Sequence, residues 1–517
     1  MNRRSFFKMG AACLGTSAAA RPASAFVPAH NWDGYNWGTA PPVNDRLYQG
    51  PFPQYPPEQV LPGSEVVMAT TPSRAVVPGY GMGLVTYVTG DFGGDTFKGV
   101  DMEKAIEAFA QLPLGQKLYV RPTWRELQKR PGRLDPDPYW MTTFAMAKQY
   151  GKRVGFRIQM SDPDIDEPSL PDFVLDKVPM VRLRGGEWKR RPSRDAQGYS
   201  EPRYDHPFFQ DAFRELNALL AAELDGNPLV EYMDTFMYGF WGEGHTWPFT
   251  DHPFPDGATA ERTFVRMFDV QREHWKKTPI VTNTQPDWSR VGNSELLDRT
   301  IRSHNWVRTD TIFVENEQIE AIANRPPWVA AVLEVGMSNG SPESLRIDEG
   351  VTYTDNVIAH VMDVGANYWS LWNWHAEKAE NVLNYYRQYP EMIDTIARRV
   401  GYRVRPSFVW HYEGGDRNGL VIGFANDGIA GVPGVLRVSV TTADGTVLAG
   451  GGLDPGYPMP GKIRQARLEL PPGTDWQGLR LKAEIEVKGV RHPVRWACHQ
   501  ALEEDGSLKL RRTSGLG

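Results

Sequence analysis

Residues 231–248 read EYMDTFMYGFWGEGHTWP. An apolar, aromatic run breaks off at Trp241-Gly242-Glu243-Gly244-His245, where a carboxylate and an imidazole stand between glycines and indoles. A half-solvated strand would alternate apolar and polar residues, whereas a continuous apolar run marks a strand covered on both faces. The acid then stands where a buried strand surfaces.

Seven further runs share this character: 82–88 (MGLVTYV), 117–124 (KLYVRPTW), 153–160 (RVGFRIQM), 279–285 (PIVTNTQ), 310–316 (DTIFVEN), 328–336 (WVAAVLEVG) and 366–375 (ANYWSLWNWH). Stretches of helical period lie between them, such as PFFQDAFRELNALLAAEL, and AENVLNYYRQYPEMIDTIARRV follows the last. Apolar strands alternating with amphipathic helices predict a (β/α)8 TIM barrel over residues 80–401. A doubly wound open sheet is the alternative, but TGDFGGD (89–95) fits its phosphate-binding turn poorly. Beyond residue 401 the helical period vanishes. Short alternating runs such as GVLRVSVTTADG and LRLKAEIEVKG predict a small C-terminal antiparallel β-sandwich over 402–517. Residues 26–79, rich in Pro and Gly, read as an extended lead-in over a domain surface.

The first 25 residues, with the pair Arg3-Arg4, a weakly apolar stretch and Ala23-Ser24-Ala25, read as a Tat-type export leader. The expected location is periplasmic or secreted, with no membrane association after cleavage, because no later run is long enough to span a bilayer. Removing that leader takes Cys13 and leaves Cys498, so no internal disulfide is expected. A net charge of -6 over 517 residues argues against a nucleic-acid partner. Seventeen Trp and 20 Tyr suit a protein that stacks on sugar rings, though large cores use aromatics too.

Chemistry on such a barrel gathers at the C-terminal strand ends. Taken in turn, the runs end at Tyr87; Arg121; Arg157 and Gln159; Trp241, Glu243 and His245; Asn283 and Gln285; Glu315; Glu334; and Trp369, Trp372, Asn373, Trp374 and His375. Glycosidic cleavage needs one carboxyl group to protonate the leaving oxygen and another to attack carbon or activate water. Glu243 and Glu334, on strands four and seven, are the expected catalytic pair. Desolvation among indoles is expected to raise the pKa of Glu243 and suit it to the acid role. Glu334 is expected to be the nucleophile, kept ionised by Arg121 or Tyr87. Glu315 is the rival second acid, and Asp234 reads equally as a buried structural partner. The other strand-end residues are expected to contact substrate.

A strand-four Glu, a strand-seven Glu and a strand-eight Trp on such a barrel resemble the clan A glycoside hydrolases. WGEGH with a β-sandwich tail is similar to the secreted β-galactosidase-like barrels and their uncharacterised bacterial relatives. The resemblance implies Glu243 as acid/base, Glu334 as nucleophile, and Trp369 or Trp372 as the sugar platform, in a retaining enzyme. The clan places Asn immediately before the acid/base, whereas Gly242 stands there; Asn283 or His245 is left to take that contact.

The expected partner is a poly- or oligosaccharide, neutral or anionic. Arg182, Arg184, Lys189, Arg190, Arg191 and Arg194 in the long excursion after the third run could hold sulfate or uronate, or form a solvated loop. No metal or other cofactor is expected: SDPDIDEP (161–168) lacks the glycine and distant Glu of a calcium loop, and zinc spacing is absent. A carbohydrate-binding barrel without catalysis and a polysaccharide lyase using Tyr87, His245 and Arg121 are the competing readings. The sequence does not indicate an oligomeric state.

Overall fold

The computed structural model describes residues 40–50, 64–89, 93–188, 198–284, 290–309, 322–337, 346–348, 351–352, 359–373 and 378–514. Eight parallel strands form a closed barrel: β1 (Gly83–Tyr87), β2 (Lys117–Val120), β3 (Arg153–Phe156), β4 (Val230–Asp234), β5 (Ile280–Asn283), β6 (Trp306–Thr309), β7 (Ala331–Met337) and β8 (Tyr368–Asn373). Closure is by β8 against β1, where Tyr368 faces Gly83 and Leu371 faces Thr86.

Alternation along each strand sorts its side chains into two cores. Leu84, Val154, Met233 and Leu333 pack outward against the helices α1 (Met102–Gln111), α2 (Pro138–Gln149), α3 (Pro207–Leu224), α4 (Gly257–His274) and α5 (Arg290–Arg302). Tyr87, Tyr119, Tyr232, Trp306 and Tyr368 fill the interior. The helices start where the sequence supplies caps: Asp101 accepts from the Lys104 amide at 3.2 Å and Asp256 from that of Thr259 at 2.7 Å. The helical stretch after β8 splits at Pro390, which cannot donate a backbone hydrogen bond, into α6 (Ala379–Gln388) and α7 (Pro390–Arg399).

Two strands depart from their expected places. The fourth ends at Asp234, not at residue 243, because glycines with positive φ turn the chain after it. The sixth barrel strand is Trp306–Thr309, ahead of the expected run 310–316, which lies outside the described residues. Arg308 interrupts its apolar pattern, yet that side chain is buried inside the barrel with acidic partners.

The C-terminal strands are β9 (Val404–Gly414), β10 (Arg417–Asn426), β11 (Val435–Thr441), β12 (Val447–Gly452), β13 (Ile463–Glu469), β14 (Arg480–Val487), β15 (Val490–Val494) and β16 (Leu508–Lys509). They form two antiparallel sheets. The lead-in is woven into one of them: Glu65–Ala69 pairs with β9, and Tyr48–Gln49 pairs with β13.

This sandwich closes the N-terminal end of the barrel. Its Lys488 Nζ donates to Trp275 O at 2.7 Å and to Asn305 Oδ1 at 2.9 Å, both just ahead of barrel strands. His492 stacks on Tyr80 at 3.5 Å, and its Nδ1 lies 3.2 Å from Arg153 Nη1 at the start of β3. Barrel interior and sandwich share one apolar core. The opposite, C-terminal end is therefore the end left for chemistry.

Candidate active site

Glu243 lies on a tight loop beyond β4. Gly239, Gly242 and Gly244 hold φ values of 81°, 76° and 83°, a region that side chains disfavour. A Cβ on Gly239 would meet the His245 carbonyl at 2.0 Å. Trp241 adopts φ 52°, a sparsely populated conformation for an aromatic residue, and its amide is tied to Ser161 O at 2.8 Å. The Gly244 amide returns to Tyr238 O at 3.0 Å. The WGEGH pattern is thus a hairpin-like turn that folds a carboxylate back into the barrel mouth.

The Glu243 side chain is buried among cations. Arg157, just past β3, donates to its Oε1 at 2.5 Å, and Arg121, just past β2, stands 3.8 Å away. His245 Nε2 lies 3.3 Å from the other oxygen, and Asn283 Nδ2 donates to the Glu243 main-chain carbonyl at 3.4 Å. Arg308 of β6 connects the rest. Its Nη1 donates to Asp234, while its Nη2 contacts Glu334 and approaches Glu243 Oε1 to 4.0 Å. Tyr119 OH donates to Asp234 Oδ2 at 2.6 Å, and the Arg121 guanidinium lies 5.1 Å over the Tyr87 ring.

Burial alone would push the Glu243 carboxyl up. The Arg157 guanidinium, the His245 contact and Arg308 outweigh it and hold Glu243 well below the ordinary carboxylate range. The expectation of a raised pKa is therefore corrected, because the indoles are outnumbered by guanidinium groups. Burial chiefly raises the Tyr87 phenol, which disfavours its use as a base. Among the described residues, Arg121, Arg157 and Arg308 face Asp234, Glu243 and Glu334, all nearly inaccessible to solvent.

Among the residues singled out in the sequence, Tyr87, Arg121, Glu243, His245, Asn283 and Glu334 meet in this cluster. Trp241 packs against His245 with ring centroids 5.9 Å apart. Gln159 is buried, and both its amide atoms lack a hydrogen-bond partner among the described residues. Trp369 is not at the site. It faces the barrel–helix core at 1% exposure, since strand alternation turns it outward between Tyr368 and Ser370. Trp372 and Asn373 continue β8, opposite Gly336 and Met337. Gln285, Glu315, Trp374 and His375 lie outside the described residues, as do Lys189, Arg190, Arg191 and Arg194 of the basic stretch. Arg184 pairs with Asp251 at 2.9 Å on the surface.

Arg308 escaped the sequence reading, and its partner Glu334 had been assigned to Arg121 or Tyr87. A lone arginine inside the four-residue run WVRT was the available signal.

No protein-family model matches the chain, and no curated protein matches it. Among solved structures, the chain is similar to endo-glycoceramidase II from Rhodococcus sp., seen as its lactosyl-enzyme intermediate, at 12% identity over 76% of this chain and 96% of that one, with TM-score 0.36. It is similar to the catalytic domain of β-amylase from Paenibacillus polymyxa at 9% identity over 61% and 98%, with TM-score 0.38. A GH5_18 protein from Streptomyces cattleya in complex with Manb1-4GlcNAc shares 14% identity over 56% and 70%, with TM-score 0.36. Likenesses this distant leave the chemistry to the residues themselves.

Proposed function

We propose that the chain is an exported glycoside hydrolase that cleaves a poly- or oligosaccharide with retention, using Glu243 and Glu334. The observation that carries this reading is the meeting of two acids, one from the loop after β4 and one from β7, on one nitrogen of Arg308. A shared cation keeps the two carboxylates close, as a retaining enzyme's pair needs, with its separation of about 5 Å. Glu334, touching Arg308, is the nucleophile that attacks the anomeric carbon. Glu243 is the acid/base. Since its cationic neighbours favour the carboxylate, the proton for the leaving oxygen is held on the Glu243–His245 pair and passes from the imidazolium through Glu243. Water then attacks the glycosyl-Glu334 ester and returns its proton to the same pair. The unpartnered Gln159 amide is suited to a sugar hydroxyl. Of the two tryptophans offered as platform, Trp369 is spent in the core, which leaves Trp372. The twin-arginine leader supplies the export route.

The test is cleavage of aryl glycosides and of neutral, sulfated and uronate polysaccharides by wild type, Glu243→Gln and Glu334→Gln. The reading requires activity on at least one substrate, lost in both variants while their circular dichroism is unchanged. Binding of a glycan without cleavage, unaltered in both variants, would favour the carbohydrate-binding alternative.

A further inference from the structure

Two residues beyond His245 stands Trp247, which is 50% exposed and, among the described residues, the one exposed tryptophan. A single exposed apolar residue ordinarily means nothing. This one is fixed at the end of an aromatic row that leads to the acid. Trp247 meets Trp188 edge to face at 6.1 Å, Trp188 meets Trp241 at 5.5 Å, and Trp241 meets His245 at 5.9 Å. His245 in turn touches Glu243.

The row is held in place. The Trp188 indole donates to Asp164 Oδ1 at 3.0 Å and is buried with Phe240 and Phe249. The excursion between β3 and α3 thus props an indole beside the mouth. A rigid indole loses little entropy when a flat partner stacks on it, and the Trp247 ring is half exposed.

From this geometry, and resting on the glycosidase reading above, we infer that Trp247 is a stacking platform for a pyranose ring on the leaving-group side of the scissile bond. The side follows from the chain. The group that protonates the leaving oxygen and the indole belong to one loop, so the indole stands where the departing sugar lies. The ligand class is a saccharide longer than the cleaved unit.

The experiment compares Trp247→Ala, Trp247→Phe and wild type on two substrates: an oligosaccharide of the sugar that the panel identifies, and the corresponding glycosyl fluoride, whose leaving group carries no ring. The inference predicts a kcat/KM loss of about tenfold on the oligosaccharide for Trp247→Ala, the size of one lost ring contact. That loss should come mainly through KM, be largely restored in Trp247→Phe, and be absent on the fluoride. Equal losses on both substrates, or no loss on either, would overturn it while leaving the glycosidase reading intact. If wild type neither cleaves nor binds any glycan of the panel, both fall together.

Discussion

The two ends of the barrel each bury charge, and they do so differently. At the N-terminal end one acid, Glu231, is enclosed by Lys117 Nζ at 3.1 Å, Arg153 Nε at 3.8 Å, the Tyr368 hydroxyl at 2.7 Å and the Gly81 amide at 2.9 Å, beneath the sandwich. Each partner points at that acid, and the apolar core of the sandwich seals it. At the C-terminal end three acids are distributed around shared arginines, so that Arg308 alone reaches all three. Burial and charge are common to both ends. What differs is that one end saturates a single carboxylate, whereas the other brings several carboxylates to one place around shared arginines. The first arrangement closes a fold; the second suits a reaction in which acids exchange protons and partners.

Substitutions should separate the two ends. The largest effect is expected for Glu243→Gln, which should lower activity by roughly 10²–10⁴-fold, in the range of a lost acid–base group, with the fold retained. Next, Arg308→Met should destabilise the protein by about 3–5 kcal/mol in chemical denaturation, because Asp234 and Glu334 lose their shared buried counter-ion.

Glu243 also sets a pH dependence. Its folded pKa lies below its ordinary value of 4.5, so it contributes stability above that value and loses it as pH falls through the lower folded value. The stability gap between wild type and Glu243→Gln should therefore stay constant near neutrality and shrink progressively as pH falls below about 4.5, which acid titration followed by fluorescence would show.

At the sealed end the sign is the same but the window lies higher. Burial pulls the Lys488 ammonium from 10.5 down to about 7. The unfolded chain then binds more protons between those values, so stability should rise with pH across that window. Lys488→Met should flatten this rise, as read from melting curves at pH 7 and 9. The smallest effect is expected on the lead-in, where Arg512→Ala removes an exposed pair with Glu65 and should cost less than about 1 kcal/mol.

Much of this organisation was legible in the sequence, because burial on both faces writes itself as continuous apolar runs. The barrel, the sandwich and the convergence of Glu243 and Glu334 followed from run order and strand ends. Residues whose role depends on tertiary partners were not legible. Nothing local in the sequence shows that Arg308 of β6 meets Glu334 on the neighbouring strand β7 and Asp234 at the end of β4. Trp369 looked like a platform because its parity is fixed only by where β8 begins. The pKa of Glu243 was misjudged for a related reason: its indole neighbours are adjacent in sequence, whereas Arg157 and Arg308 are not. The pairing of Glu65–Ala69 with β9 joins segments far apart in the chain, beyond any local pattern.

In the proposed reaction Glu334 attacks carbon while Glu243 handles the proton. The most direct measurement is to trap the intermediate with a 2-deoxy-2-fluoro glycoside of the cleaved sugar and map the modified peptide by mass spectrometry. A single glycosyl adduct on Glu334, formed by wild type and lost in Glu334→Gln, is the predicted result. An adduct on Glu243 or Glu315, or turnover with inversion and no adduct, would contradict it.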